Sequence, residues 1–274
     1  MYLKEATLNR KWFNACEEES LEKIKYYTKQ GIDINLRNEE GETALINLCA
    51  YGNEIIVEYL LKKGANVDIY DNGGYTALHA AVHQGNYKCA KLLIKYGANI
   101  NAVTSYMHDN PMSVLMIACF TDGYKFVKLL IKKGVDINYK NVAGETALMY
   151  TCDPNANIAT LLLNNGAIAD DCDKDGDTVL MHAIRNGCTL TLLFTLLNNG
   201  AKINVKNMNG QTAMDYVYFY SKSADQRHKL EVNISAYIHK LIDKKVDNVS
   251  NNITYLIYPI RETLKKVMLK NYYC

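Results

Sequence analysis

The sequence predicts an all-α protein built from short helix–turn–helix units stacked side by side. Three observations carry that prediction. Amphipathic segments punctuated by glycine recur with a period near 33 residues over most of the chain. The clearest copy has its own start and stop signals, with a capping threonine, a lysine in the last turn and a glycine just beyond. No unit is large enough to bury its own apolar faces, so each needs a copy beside it.

That clearest copy is residues 74–101, GYTALHAAVHQGNYKCAKLLIKYGANIN. Gly74 closes a tight turn, and the Thr76 side chain can accept from free N–H groups of a new helix. Leu78, Ala81 and Val82 then share one face at i, i+3, i+4. Gly85 and Asn86 break this helix. The second helix puts Cys89, Leu92 and Leu93 on its apolar side and Lys95 at its negative end, and Gly97 stops it in a left-handed conformation.

Upstream, residues 8–35 form a worn first copy, with Trp12, Phe13 and Cys16 as the apolar side of its first helix. Leu21, Ile24 and Tyr27 serve its second, and Gly31 stops it. Glu17, Glu18 and Glu19 are expected on an outer face that meets water, as suits a terminal unit. The first full copy opens at Gly41 with GETALINLCAYGN and stops at Gly64, and Gly74 follows Gly41 by 33 residues. The third full copy, SVLMIACF and then FVKLLIKKGVDIN, comes 37 residues after the second, counted from Thr76 to Ser113. Its extra residues fall in the turn 104–111.

The fourth copy opens GETALMYTC at Gly144 and stops at Gly166, with an inner turn at Asp153 and Pro154 that is one residue short. The fifth opens GDTVLMHAIRNG at Gly176 and stops at Gly200. The sixth opens GQTAMDYVYFY at Gly210, and a polar stretch from Ser221 then lengthens its inner turn. A helix follows with Ile234, Tyr237, Ile238, Leu241 and Ile242 on one face. The domain reading is one repeat domain over 1–246, with an N-terminal cap at 8–38 and repeats starting near 38, 71, 108, 141, 173 and 207. Residues 247–274 form a linker and a last amphipathic helix (Ile260, Leu264, Val267 and Met268), read as a cap.

Composition narrows the function classes. A formal net charge of +2 in 274 residues argues against a strong field for nucleic acid or membrane surfaces. No segment approaches the ~20 apolar residues of a membrane span, and the early charges of MYLKEATLNRKWF argue against a secretory signal. The expected compartment is the cytoplasm. None of the eight cysteines forms a CxxC pair, and Cys16, Cys49, Cys119 and Cys152 share one place in successive units, as a recurring small buried residue would. Cys274 reads as an exposed free thiol. The sequons at Asn233, Asn248 and Asn252 read as chance products of an Asn-rich chain.

A 33-residue period with G-x-T-A-L-H-x-A, then G-N, then L-L-x-x-G-A-x-x-N resembles the ankyrin repeat. The resemblance covers roughly residues 8–244. The proline that usually follows Thr is replaced by Ala44, Ala77, Val114, Ala147, Val179 and Ala213. The usual His survives only as His79, with Ile46, Met116, Met149, Met181 and Asp215 elsewhere. These departures imply fewer hydrogen bonds between repeats and a stable but not exceptionally rigid array. The resemblance implies an all-α solenoid of paired antiparallel helices joined by hairpin-like turns, monomeric and without cofactor, binding an unidentified protein partner and neither nucleic acid nor membrane.

It further implies that the partner is held by turn tips and the inner face of the first helices. Carried onto this chain, that surface begins with Glu39, Glu40 and Glu42, then Asn72, Tyr75 and His83. Tyr106, Met107, His108 and Asp109 follow in the enlarged turn, then Val142 and Glu145, then Lys174, Asp177 and Arg185, and finally Met208 and Gln211. The enlarged turn puts adaptable and apolar groups where solvent is expected, as interface anchors often are, although surface insertions are also tolerated without a role.

No catalytic or metal site is expected. His79 reads as a structural residue of its turn, and His83, His108, His182, His228 and His239 are scattered without a second ligand at HExxH spacing. The glycines never form a GxxxxGK[ST] loop. Leu130 followed by Asp136, Ile137 and Asn138 resembles the pattern that asparaginyl hydroxylases accept in ankyrin arrays. The same letters are the repeat consensus, in which Asn35, Asn101, Asn138 and Asn204 would hold their turns. The leading functional expectation is a non-catalytic protein-binding scaffold. The alternative is an adaptor whose C-terminal helix recruits a second effector such as a ubiquitin ligase. A host-cell partner is implied if the source is a virus or an intracellular bacterium.

Overall fold

A computed structural model describes residues 2–104, 110–151 and 156–220, together with 228, 232–234 and 236. Several expectations therefore lie outside the described residues. They concern Tyr106, Met107, His108 and Asp109, the inner turn at Asp153 and Pro154, and Cys152 and Cys274. They also include Tyr237 to Ile242 and the tail 247–274.

The chain runs as helix pairs. α1 (Tyr2–Glu17) and α2 (Leu21–Lys29) make the terminal unit. α3 (Ala44–Tyr51) pairs with α4 (Glu54–Lys62), α5 (Ala77–His83) with α6 (Tyr87–Lys95), and α7 (Val114–Phe120) with α8 (Tyr124–Lys132). A 3₁₀ turn (Ala147–Tyr150) precedes α9 (Asn157–Asn164), then α10 (Val179–Arg185) pairs with α11 (Leu190–Asn198), and α12 (Ala213–Tyr220) begins the sixth unit. The first helices pack on one another in series, and so do the second helices, which gives an all-α solenoid of two layers. Among the described residues there is no strand. Isolated bridges such as Arg37 with Thr43 and Tyr70 with Thr76 pinch the feet of the turns.

One continuous core runs the length of the array. Trp12 and Ile24 open it, Leu45, Leu78, Leu115, Leu148 and Leu180 recur along the first layer, and Leu60, Leu93, Leu130, Leu162 and Leu196 along the second. Cys16, Cys49 and Cys119 are buried in it, and burial pushes the Cys16 thiol up to about 12, with Glu17 adding to the shift. Ile234 is buried as well.

The sequence signals explain the helix ends. Thr43, Thr76, Ser113 and Thr178 each accept the N3 backbone N–H with their side-chain oxygen. Gly144, at φ 82°, has a second task beyond the turn. A Cβ there would stand 2.8 Å from the backbone nitrogen of Lys174, so only glycine lets the next turn approach.

Four details differ from the sequence reading. The terminal unit's first helix starts at Tyr2 rather than near residue 8. Glu17, Glu18 and Glu19 are exposed, but Glu19 accepts from Asn53 Nδ2 at 2.7 Å, so it ties the terminal unit to the next one. Asn35, Asn101 and Asn138 do not hold their own turns. Their Oδ1 atoms accept from Asn66, Asp136 and Ile168 N–H in the following unit, while Asp33, Asn99 and Asp136 brace the local turns.

The fourth copy's first helix is the remaining difference, because it shrinks to the 3₁₀ turn. Thr151 turns extended (ψ 123°), and its Oγ1 donates to Leu148 O at 2.8 Å, closing the helix end early. Three residues further along the sequence comes Pro154, and a proline disfavours helical backbone in the residue before it. Thr146 makes no side-chain cap bond, and its Oγ1 is buried without a partner.

Candidate functional site

Five of the turns between units are built on one Asn or Asp placed three residues before the turn glycine, while Thr104 Oγ1 accepts from Met112 N–H at 2.9 Å in the turn to the third full copy. Asn38, Asp71, Asn141, Asp173 and Asn207 use Oδ1 to accept the backbone N–H of the residue four positions on. Those residues are Glu42, Tyr75, Glu145, Asp177 and Gln211, at 2.7 to 2.9 Å. The same pairs also close a backbone bond in the other direction, so the five side chains leave a rigid base. The tips are then joined from unit to unit: Asn72 N–H donates to Glu40 O, Lys174 N–H to Ala143 O and Met208 N–H to Asp175 O.

On this frame the sequence-nominated residues fall into two groups. Near the N-terminal end, Glu42 accepts from Asn38 Nδ2, and Asn72 donates to Glu39 O. The Tyr75 ring meets the rings of His79 and His83, with centroids 5.7 and 6.5 Å away. Glu39, Glu40 and His83 are exposed. Near the C-terminal end, Glu145, Asp177, Arg185 and Gln211 enter one polar network. Lys174 and Met208 stand exposed at its rim, and Val142 is half-buried.

The network draws on four units. Glu145 Oε2 accepts from Tyr150 Oη and from Asn110 Nδ2, both at 2.5 Å, and from Asn141 Nδ2 at 3.0 Å. Asp177 Oδ2 accepts from Tyr216 Oη at 2.5 Å and Arg185 Nη1 at 3.2 Å, and its Oδ1 from Asn207 Nδ2 at 2.7 Å. Between them, Asp173 Oδ2 lies 2.8 Å from His182 Nε2, whose Nδ1 is 2.8 Å from Arg185 Nη2. Arginine can only donate, so Nδ1 is the acceptor and the imidazole proton sits on Nε2, directed at Asp173.

The electrostatics follow from these contacts. Burial alone would raise the Glu145 carboxyl, but the hydrogen bonds from Tyr150, Asn110 and Asn141 outweigh it, and the net direction is down. Tyr150 is pushed up by burial and then by the Glu145 carboxylate beside it. Tyr216 is pushed up to about 12 by burial and by Asp177. The two phenols therefore stay protonated donors, and the Glu145 carboxylate is favoured as a charged acceptor.

Glu145, Asp173 and His182 have ligand atoms within 4.8 Å of one another, a grouping that sequence spacing hides because Glu145 comes from the preceding unit. The arrangement does not fit a bound cation. A metal on Nε2 needs the lone pair where the proton now points, and moving that proton to Nδ1 would set it against an arginine donor. The cluster is a hydrogen-bonded Asp173–His182 pair with the Glu145 carboxylate, held by its own donors, beside it. Sequence reasoning missed Asn110, Asn141, Tyr150, Asp173, His182, Asn207 and Tyr216. For Asn141, Asp173 and Asn207 a signal existed, namely an Asn or Asp three residues before the turn glycine in five copies read in phase.

Comparison with known proteins agrees with this architecture. A family model described as ankyrin repeats (three copies) matches residues 12–104 and 115–216. An ankyrin repeat protein of fowlpox virus (strain NVSL) is 28% identical over 120 residues, which cover 41% of this chain and 27% of that protein. The chain thus matches about a quarter of its relative's length. The crystal structure of the human ASB11 ankyrin repeat domain superposes with a TM-score of 0.69 at 23% identity, covering 80% of this chain and 96% of that one. The ankyrin repeat domain of Bcl-3, a member of the IkappaB family, gives 0.65 at 23% identity, covering 80% and 97%. With the repeat model matched over most of its length and the same two-layer architecture in its coordinates, the chain belongs to the ankyrin-repeat family.

Proposed function

We propose that the chain is a non-catalytic scaffold that binds a protein partner across its turn tips and the exposed side of its first helices, with the contact centred on the fourth to sixth turns. Ankyrin repeats generally mediate protein–protein interaction, and the family's fold is typically not catalytic. The observation that carries the reading is the preorganised network of Glu145, Asp173, Asp177, His182 and Arg185, with exposed Lys174 and Met208 (79% exposed) at its rim. Asp177 and His182 are buried and serve as the fixed base, and exposed turn tips held on such a base lose little conformational entropy on binding. An apolar anchor beside fixed polar groups is how interface centres are commonly built. We take the repeats to form one domain over 1–246, working in the cytoplasm of a host cell, a reading the poxviral relative supports.

The test compares wild-type full-length protein with the variant K174E/M208D as baits in host-cell lysate. Both changed side chains are exposed, so circular dichroism should match between the two. A partner captured by the wild type and lost with the variant is the expected result. A partner held equally by both would move the binding surface away from these turns.

A further inference from the structure

The second-helix layer carries a charge pattern that the first-helix surface does not use. α6 presents Lys88, Lys91 and Lys95, and α8 presents Lys125, Lys128 and Lys132. Both sets have i, i+3, i+7 spacing, and neither helix contains a carboxylate. All six side chains are exposed. Lys88 pairs with Glu54 at 2.8 Å and Lys95 lies close enough to Glu58 to influence it. Lys91, Lys125, Lys128 and Lys132 make no hydrogen bond or ion pair among the described residues.

The strip has sharp edges. On one side α4 carries Glu54 and Glu58, the latter paired with Lys62 of the same helix at 2.9 Å, and on the other α9 and α11 carry no charged residue at all. In a chain with a net charge of +2, this is a local concentration of one sign rather than a general basicity. Adjacent packed helices stand about 8–10 Å apart, comparable to the Debye length of about 8 Å at physiological salt, so a ligand lying between the two lysine columns feels both.

Alongside the strip runs a groove of about 500 Å³ between α4 and α6. Its floor is aliphatic, formed by Ile55 and Leu92, with Ile55 66% exposed. Glu54 and Glu58 form one wall and the α6 lysines the other. We propose that this groove and its lysine strip dock an acidic amphipathic helix of a partner protein. The partner's apolar edge lies on Ile55 and Leu92, and its carboxylates turn toward α6 and α8.

The geometry favours a helix over other polyanions. A helix can carry its acidic residues on one flank and keep them from Glu54 and Glu58, while its aliphatic edge fills the floor. A sugar–phosphate backbone carries charge on all sides and gains nothing from an aliphatic floor, and the residues lining the groove include no aromatic on which a base could stack. A flat anionic bilayer would meet the glutamate wall together with the lysines. This second surface is independent of the one proposed above.

The test uses full-length protein and a fluorescein-labelled synthetic helix with leucines along one edge and glutamates on the adjacent flank, read by anisotropy. The variants are K91E/K95E/K128E and Ile55→Asp, all at exposed positions, with circular dichroism as the fold check. The expected result is salt-sensitive binding that falls about tenfold in the charge-reversed variant, as for charges that steer and orient a partner. A separate loss is expected in the Ile55 variant. Labelled single-stranded RNA and phosphatidylserine vesicles run as parallel arms. Failure of the wild type to bind the peptide would overturn the proposal, as would unchanged affinity in the charge-reversed variant, or tighter binding of RNA or vesicles than of the peptide.

Discussion

One position of the first helices, the third residue after the cap, has the same task in several copies and three different chemistries for it. His79 Nε2 sits 3.2 Å from Ala102 O, which can only accept, so the proton is on Nε2 and Nδ1 accepts from Thr76 N–H at 3.2 Å. Met116 and Met181 offer a thioether sulfur to the Ser113 and Thr178 N–H groups, both at 3.4 Å, and Asp215 offers a carboxylate to Thr212 N–H at 2.7 Å. The imidazole also bonds onward to the backbone at Ala102, and its complete burial makes it pH-sensitive. Burial lowers His79 from 6.5 to about 4, against carbonyl hydrogen bonds that act in the other direction. The unfolded chain takes up a proton near 6.5 and the folded chain only near 4, so stability is lost as pH falls through that window. The loss amounts to about 3 kcal/mol. His79→Met should be destabilised by about 1 kcal/mol at neutral pH, for the lost bond to Ala102, and should lack this part of the acid slope. Urea titrations at a series of pH values decide it, and an unchanged slope in the variant would remove His79 from the account.

At the level of elements, the caps show how one residue type can have opposite effects in different copies. Thr178 caps α10, whereas Thr146 stands in the equivalent place before the 3₁₀ turn with its hydroxyl buried and unpaired. Thr178→Val should therefore cost about 1 kcal/mol. Thr146→Val removes an orphaned polar group of the same shape and should raise stability by up to about 1 kcal/mol. Equal losses in both variants by denaturant titration would contradict the contrast. Most of the element plan was legible because caps, glycines and leucines recur in phase, so each copy corrects the reading of its neighbours. The 3₁₀ turn was not legible, because GETALMYT matches its sisters and the early stop shows only in the extended backbone of Thr151 and its hydroxyl bond to Leu148 O. The candidate surface was half legible. Its tips follow from the repeat, but Asp173 and His182 reach Glu145 only through stacking of units, which no spacing within one unit encodes.

For the whole molecule, a two-layer array in which units touch only their neighbours predicts that a local injury stays local unless every interface is strong. The fourth copy, with its shortened helix and orphaned hydroxyl, is the weak interface among the described units. Asp177 lies beyond it and joins the fifth unit to the sixth through Tyr216 and Asn207. Asp177→Ala leaves the Tyr216 hydroxyl without its acceptor and Asn207 Nδ2 with only its 3.3 Å contacts to Gln211 Oε1 and Tyr216 Oη, while Arg185 is exposed enough to turn to water, so a loss of about 2 kcal/mol is expected. The single tryptophan, Trp12, is buried in the terminal unit at the far end and reports that end alone. In Asp177→Ala the helical circular dichroism should begin to fall at lower denaturant than in the wild type, while the Trp12 fluorescence midpoint stays in place. If both midpoints shift together, the fourth copy transmits stability as fully as its neighbours, and the array unfolds as one cooperative unit despite its 3₁₀ turn.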